Sequence, residues 1–426
     1  MKRKIFVVLA VISLIFILSA AKTEKPVLRA DGYASLNGGT IGGSKALSKN
    51  IFTATNKAEL LKALKNKTGQ ISNDPKIIFI SGIIDICVDA NNKPLSEKDF
   101  TVAPYSLEAY LAAYEPKVWG RGGKPSGALE DARKASLAKF AECIYIPVGS
   151  NTTIIGVKGA KILHGNLLLD SVSNVIIKNI SFEDAYDFFP QWDPKDSYDK
   201  ATDTGGRWNS LFDLISVVNS TNVWIDHCTF SDGDRSDGTF PNYLDQQYQH
   251  HDGSVDITKG SNYVTFSYNY VYNHDKNTLL GGSDSQKEDV GKLKVTFHHN
   301  YYESAGQRLP RVRFGEAHIY NNYYNKIENY AIGIGIFASI YAEANVFENI
   351  IEPASQIKYY DGKGAGYIKD VGNFPPIRGV LNESDGLHIG RVTWEPKDRY
   401  SYKADNTAEV KNLCITYAGA DKPERK

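Results

Sequence analysis

The strongest constraint on the fold is a repeat. The segments NVIIKNISF (Asn174–Phe182), NVWIDHCTF (Asn222–Phe230), VTFSYNY (Val264–Tyr270), VTFHHNYY (Val295–Tyr302), HIYNNYY (His318–Tyr324) and IYAEANVF (Ile340–Phe347) each set a short β-branched or aromatic alternation before an Asn or His. The marked positions Asn179, His227, Asn269, Asn300, Asn322 and Asn345 are 48, 42, 31, 22 and 23 residues apart, so the interval settles once insertions disappear. A period in this range signals a solenoid. With no helical period between the strands, stacked coils of a parallel β-helix are predicted. A leucine-rich repeat needs a Leu framework that is missing, and the strands of a β-sandwich would not return Asn to one phase. Asn suits a stacked turn because it tolerates the left-handed conformation and its amide both donates and accepts. The expected fold is all-β, a right-handed single-stranded solenoid with an N-terminal capping helix and loop insertions, its repeat core at about 151–350.

The rest of the chain reads as one domain with excursions. Lys2-Arg3-Lys4, a run from Ile5 to Leu18 that is apolar but for Ser13, and Ser19-Ala20-Ala21 follow the order of a secretory signal peptide over residues 1–21. The run is 14 residues long, short of the ~18 a membrane anchor needs. Residues 22–50 are Gly-, Ser- and Asn-rich and are expected to lie extended over the surface. Asn56 is placed to cap a helix from Lys57 to Asn66 with Leu60, Leu61 and Leu64 as its stripe. A polar insertion from Asp89 to about Glu142 has helical character at Ser106–Tyr114 and Gly127–Phe140. Lys+Arg and Asp+Glu are 49 each, which excludes a general nucleic-acid or anionic-membrane binder. The 4 cysteines are too few for a disulfide scaffold; Cys87 and Cys143, both in short β-like runs, are the candidate pair.

Four further strings occur in order along the repeat: WIDHCTF (Trp224–Phe230), HHDGSVDIT (His250–Thr258), NHDK (Asn273–Lys276) and QRLPRVRFG (Gln307–Gly315), the last holding Arg308, Pro310 and Arg313. With DAYDFFPQWDP (Asp184–Pro194), they resemble the extracellular pectate lyases of polysaccharide lyase family 1, Bacillus-type branch, from about Asp31 to Asn349. That resemblance implies a secreted, monomeric, Ca²⁺-dependent enzyme cleaving α-1,4-linked polygalacturonate by β-elimination, with no nucleic-acid or membrane partner. It gives Asp213, Asp252 and Asp256 the Ca²⁺-binding role, and makes Arg308 the base, with Lys276 and Arg313 beside it. Some relatives carry an acid two positions before the first ligand, where this chain has Leu211.

The residues themselves leave more open. Asp252 and Asp256 are an even number of positions apart, so an extended strand points both to one face. Two like charges about 4 Å apart repel by roughly 1–4 kcal/mol, which calls for a cation, a shared proton or wide solvation. Asp213 on an earlier coil adds a third oxygen donor, and an all-oxygen acidic set suits Ca²⁺. Asp203, in an Asp/Gly-rich loop, is a candidate for a second ion. Asp226 and His227 are read as structural, because neighbours on a strand face opposite ways; the same argument turns His250-His251 and His298-His299 away from zinc. Arg308 and Arg313 are an odd number apart, so reaching one groove depends on Pro310 breaking the strand. Trp192 and Tyr186 are read as anchors rather than sugar platforms. Three rivals follow from the fold: a pectin lyase acting on the methyl ester, a polygalacturonase, whose N-T-D and G-H-G signatures are missing, and a non-catalytic carbohydrate-binding β-helix.

Overall fold

The computed structural model describes residues 28–360, 364–379 and 392–425; the segment predicted as a signal peptide, residues 1–21, lies outside them. Three parallel sheets run the length of a right-handed β-helix. Sheet 1 has ten strands, from Ile51–Ala54 to Tyr367–Val371, and sheets 2 and 3 have eight each. One complete coil is Ile215–Val218 in sheet 2, Thr221–Asp226 in sheet 1 and Thr229–Ser231 in sheet 3. Each strand pairs in register with its counterparts on the coils before and after, as Val223 does with Val175 and Val264.

Short strands with buried β-branched and aromatic residues fill the interior, where Tyr302, Tyr324 and Phe347 stack at 5.0 and 4.7 Å between ring centroids. The Asn repeat forms a ladder beside them. Asn300 Nδ2 donates to Asn322 Oδ1 at 2.9 Å, Asn322 Nδ2 to Asn345 Oδ1 at 2.9 Å, and Asn345 Nδ2 to Asn373 Oδ1 at 2.8 Å. Each such bond contributes about 1 kcal/mol, and leaving a buried amide unpaired costs more. Asn179 and His227 are not in this phase. They share the left-handed backbone with Tyr268, His299, Asn321 and Ala344, one residue ahead of the ladder. In their coils the ladder position falls on Ile180 and Cys228, and the Cys228 amide still donates to Asn269 Oδ1 at 2.8 Å. The turn requires one left-handed residue followed by one inward-pointing residue, and Asn serves in either place.

The capping helix spans Lys57–Leu64, and Asn56 Oδ1 accepts from the Glu59 amide at 3.0 Å. Leu60 and Leu64 are buried in the same cluster as Ile78 and Ile146, closing the first coil. The insertion carries helices Leu107–Tyr114 and Ala128–Ile144, so Cys143 ends a helix rather than lying in a β run. All four cysteines are free thiols here.

The outer faces decide where a site is free to form. Residues 28–50 do not merely lie extended over the surface: they pack in short turns onto sheet 1, with the Tyr33, Ala34 and Gly43 amides donating to Thr296, Thr265 and Thr153 hydroxyls. Gly42 is confined there, because its φ is +49° and a Cβ would stand 2.2 Å from Thr153 Oγ1. The C-terminal segment covers the other end of sheet 1 through Trp394, against Tyr341, and Tyr400, bonded to Thr296 and His318. Helix Thr407–Tyr417 then sets Val410 and Cys414 against Tyr323 and Val346 of sheet 3. On sheet 2 one outward row brings polar and charged residues into register, Ser216 with Asp256, Leu279 with Arg311, and Gly333 with Arg311 and Lys358.

Candidate active site

The long connections that disturb the repeat interval mostly run from sheet 3 to sheet 2, and the predicted site residues lie where they end. Asp213 precedes strand Ile215–Val218, Asp252 precedes Val255–Thr258, Lys276 precedes Leu279–Leu280 and Arg308 precedes Arg311–Val312. Backbone pairing carries the stack through this region: Leu214 N donates to Gly253 O at 3.1 Å, Ser254 N to Asn277 O at 2.7 Å, and Thr278 N to Arg308 O at 2.7 Å. Successive residues of the set therefore lie about one strand spacing, ~4.8 Å, apart along the helix axis.

Each acid is held by named donors. Asp213 Oδ1 accepts from the Gly253 amide at 2.9 Å and Oδ2 from Ser216 Oγ at 2.6 Å, while Asn166 Nδ2 reaches the Asp213 carbonyl at 2.5 Å and Ser216 Oγ at 2.9 Å. Asp256 Oδ1 accepts from the Leu279 amide at 2.8 Å. Burial, then the charge of Asp252, pushes Asp213 up to about 7; burial, then Asp213 and Asp252, pushes Asp256 well above the usual carboxylate range. Asp252 has 29% of its side chain exposed and turns to Lys276 Nζ at 3.2 Å, while the Lys276 side chain is 2% exposed. Among the described residues the three do not bring their oxygens within 4.8 Å of one another, but each raises the cost of ionising its neighbours, a setting that a hard cation with oxygen ligands relieves.

Sequence reasoning passed over Gly253, Ser216 and Asn166. Gly253 could have been found, since a glycine between two acids marks a close approach: a Cβ there would stand 2.6 Å from both Asp213 Oδ1 and Asp256 Oδ1. Gly253→Ala is expected to spread the two carboxylates and lower kcat/KM by about 10²-fold, the scale of a 1 Å misplacement in a catalytic constellation. Steady-state kinetics beside an unchanged circular-dichroism spectrum checks this, and wild-type kinetics would contradict it.

Arg308 sits in the left-handed region at φ 63°, half-buried, and its buried Nε lacks a hydrogen-bond partner among the described residues. Burial favours its neutral form, but the charges of Asp252 and Asp256 outweigh that and hold it above the ordinary guanidinium range. Lys276 and Gln307 form a bridge between the coils carrying Lys276 and Arg308. Arg313 is tied back, its Nε to Asp284 Oδ1 at 2.6 Å and Nη1 to Gly281 O at 2.9 Å. Arg311, on the outward row, stacks over the Tyr360 ring at 3.5 Å and is pushed down to about 10 by burial and the charge of Arg313.

Asp203 is 81% exposed on its side chain and meets Arg121 at 3.3 Å and Tyr198 Oη at 3.1 Å. Trp192 is fully buried against Trp208, and Tyr186 stacks on His250 at 4.2 Å, so both are anchors. The strand argument fails for Asp226 and His227, which bond at 2.6 Å, and for His298 and His299, 2.8 Å apart. His227 and His299 are left-handed turn residues, so strand alternation does not apply to them. Asp226 nevertheless belongs to sheet 1, bound to Lys178 and Ser267. Among the described residues Asp226, His227 and Glu424 bring three ligand-type atoms within 4.8 Å of one another, but the Lys178 ammonium already contacts Asp226 and lies 2.9 Å from Glu424.

Known proteins share this arrangement of chain. A family model described as pectate lyase matches residues 4–102 and 123–423. The chain belongs to the pectate lyase family. It is 44% identical over 404 residues to a pectate lyase of Bacillus subtilis, covering 92% of each chain, and 32% identical over 443 residues to pectate lyase E of Dickeya dadantii, covering 99% of this chain and 94% of that one. Among solved structures, a pectate lyase bound to a hexasaccharide superposes with a TM-score of 0.83 at 42% identity, covering 92% of this chain and 97% of that one. A pectate lyase of Acidovorax avenae gives 0.82 at 33%, covering 97% and 99%. The likeness thus continues beyond Asn349, through the segment that covers sheets 1 and 3. Among the described residues of this lyase, no helix is long and apolar enough to cross a membrane.

Proposed function

We propose that this lyase is a secreted, monomeric, Ca²⁺-dependent enzyme that cleaves α-1,4-linked polygalacturonate by β-elimination and releases unsaturated oligogalacturonides. The observation that carries the reading is the stack of acids, Lys276 and Arg308 on successive coils of the open sheet. A relative of 41% identity is described by an anti β-elimination mechanism, and another holds a hexasaccharide.

Asp213, Asp252 and Asp256 would hold the ion; when bound, it supplies positive charge that offsets these acids and engages the uronate carboxylate. The chain's own residues do the rest. Lys276 places a buried ammonium beside Asp252, where it meets the substrate's acidic group. Arg308 is positioned to take the proton from carbon 5, next to that carboxylate, as the bond from carbon 4 to the glycosidic oxygen breaks. Its proton affinity is set by Asp252 and Asp256, so any compensation of those charges moves it toward the neutral form, and alkaline pH acts in the same direction. Arg313, held by Asp284 and the Gly281 carbonyl, keeps a fixed positive charge close to Arg311. The retained acids favour pectate over a neutral methyl ester.

The test is to incubate the purified enzyme with polygalacturonate and Ca²⁺ and follow ultraviolet absorbance. Elimination yields a conjugated product and rising absorbance. Reducing ends without absorbance would mean hydrolysis, faster reaction on fully esterified pectin would mean a pectin lyase, and neither signal would leave a binding module.

A further inference from the structure

Cys87 and Cys143 stand at the two ends of the insertion that interrupts the early coils. Cys87 follows strand Ile83–Asp85 of sheet 3, and Cys143 lies in the last turn of helix Ala128–Ile144. The two thiols lie close enough to shift each other's ionisation, and Lys57 Nζ, from the capping helix, reaches Cys143 Sγ at 3.2 Å. Cys143 Sγ also contacts the Ile86 carbonyl at 3.8 Å, and Cys87 Sγ the Leu95 carbonyl at 3.8 Å, so both side chains point into one junction. Cys228 and Cys414 are buried elsewhere, against the Asp226 and Asn321 carbonyls.

We infer that Cys87 and Cys143 are a dithiol site that closes to a disulfide across the neck of the insertion when a disulfide oxidant is present. Two features prepare it. Cys143 is partly exposed and its thiol is pushed down to about 6 by the neighbouring Cys87 thiol, with Lys57 acting the same way, whereas Cys87 is pushed up by Cys143 and by burial. Cys143 is therefore the attacking thiolate. It displaces one half of a small-molecule disulfide such as glutathione disulfide as a thiolate, forming a mixed disulfide. Cys87 then loses its proton and attacks the Cys143 sulfur, expelling the second half. Two protein thiols are oxidised, one external disulfide is reduced to two thiols, and the two protons go to the departing thiolates.

The cross-link acts on the site through packing. Phe140 of the same helix meets Phe212 at 5.4 Å, edge to face, immediately before Asp213. Glu130 and Arg133 hold Gln191 and the Phe189 carbonyl of the connection running beside it. Fixing the helix end to the coil stiffens this wall and reduces the freedom of the unfolded insertion.

An oxidising surrounding in the organism rests on the export reading, so the test is made on purified full-length protein. Reduced enzyme is expected to show four reactive thiols in denaturant. After incubation with glutathione disulfide it shows two, with a Cys87–Cys143 linked peptide in the non-reducing digest and a melting temperature higher by roughly 5 °C. Cys143→Ser abolishes the linked peptide and the shift. Four thiols remaining, a persistent glutathione adduct on Cys143, or a link to Cys228 or Cys414 would each overturn the inference, whatever the outcome of the lyase assay.

Discussion

Replacing Arg308 with Lys is expected to lower turnover on polygalacturonate by about 10²–10⁴-fold while leaving the fold and Ca²⁺ affinity intact, the range typical of losing a general base. Arg308 is half-buried, its left-handed backbone directs it from the end of a connection rather than from a strand, and its buried Nε has no hydrogen-bond partner among the described residues. Lysine keeps the positive charge but not the reach or the planar fork. A residue that only attracted the polyanion would tolerate the exchange, and the loss would fall on KM. Near-normal kcat in Arg308→Lys would remove the base assignment and turn attention to Lys276.

Removing divalent ions is expected to abolish lyase activity, with Ca²⁺ restoring it, and Asp252→Asn to raise the Ca²⁺ concentration needed. The physical reason also predicts a pH dependence of stability. Asp213 is pushed up to about 7 in the folded protein, against about 3.9 for an unfolded aspartate, and Asp256 shifts the same way. Between those values the folded state binds more protons than the unfolded one, so the ion-free protein keeps this contribution fully below about pH 4 and loses it as pH rises toward 7. A bound cation replaces the missing protons. The rise in melting temperature on adding Ca²⁺ is therefore expected to be larger at pH 8 than at pH 5, as differential scanning fluorimetry would read. Full activity in excess chelator, or a Ca²⁺ shift that shrinks with pH, would count against the three acids as ligands.

Much of this was legible in the order of residues. A side-chain period of two with Asn returning to one turn phase leaves few ways to bury the apolar face other than stacking, and the helix after Asn56 follows from its capping chemistry. The strings around Asp252, Lys276 and Arg308 were readable because each is local. Where the sequence misleads is also local: strand alternation does not hold at His227 and His299, whose positive φ places them in turns, and the same turn puts Asn179 and His227 one residue ahead of the ladder.

The sequence alone determined the repeat, the fold class and the types of residue available for chemistry, because these depend on side-chain period and on groups close together in the chain. Only the tertiary structure decided that Asp213, Asp252 and Lys276 follow one another along an axis, that Gly253 lets two carboxylates approach, and that Asp284 restrains Arg313. It also decided that the two ends of the chain cover sheets 1 and 3 and leave sheet 2 open. Those facts depend on which coil each connection rejoins. The stacking register that fixes this is a sum of many small contacts along the whole solenoid, and no single segment encodes it.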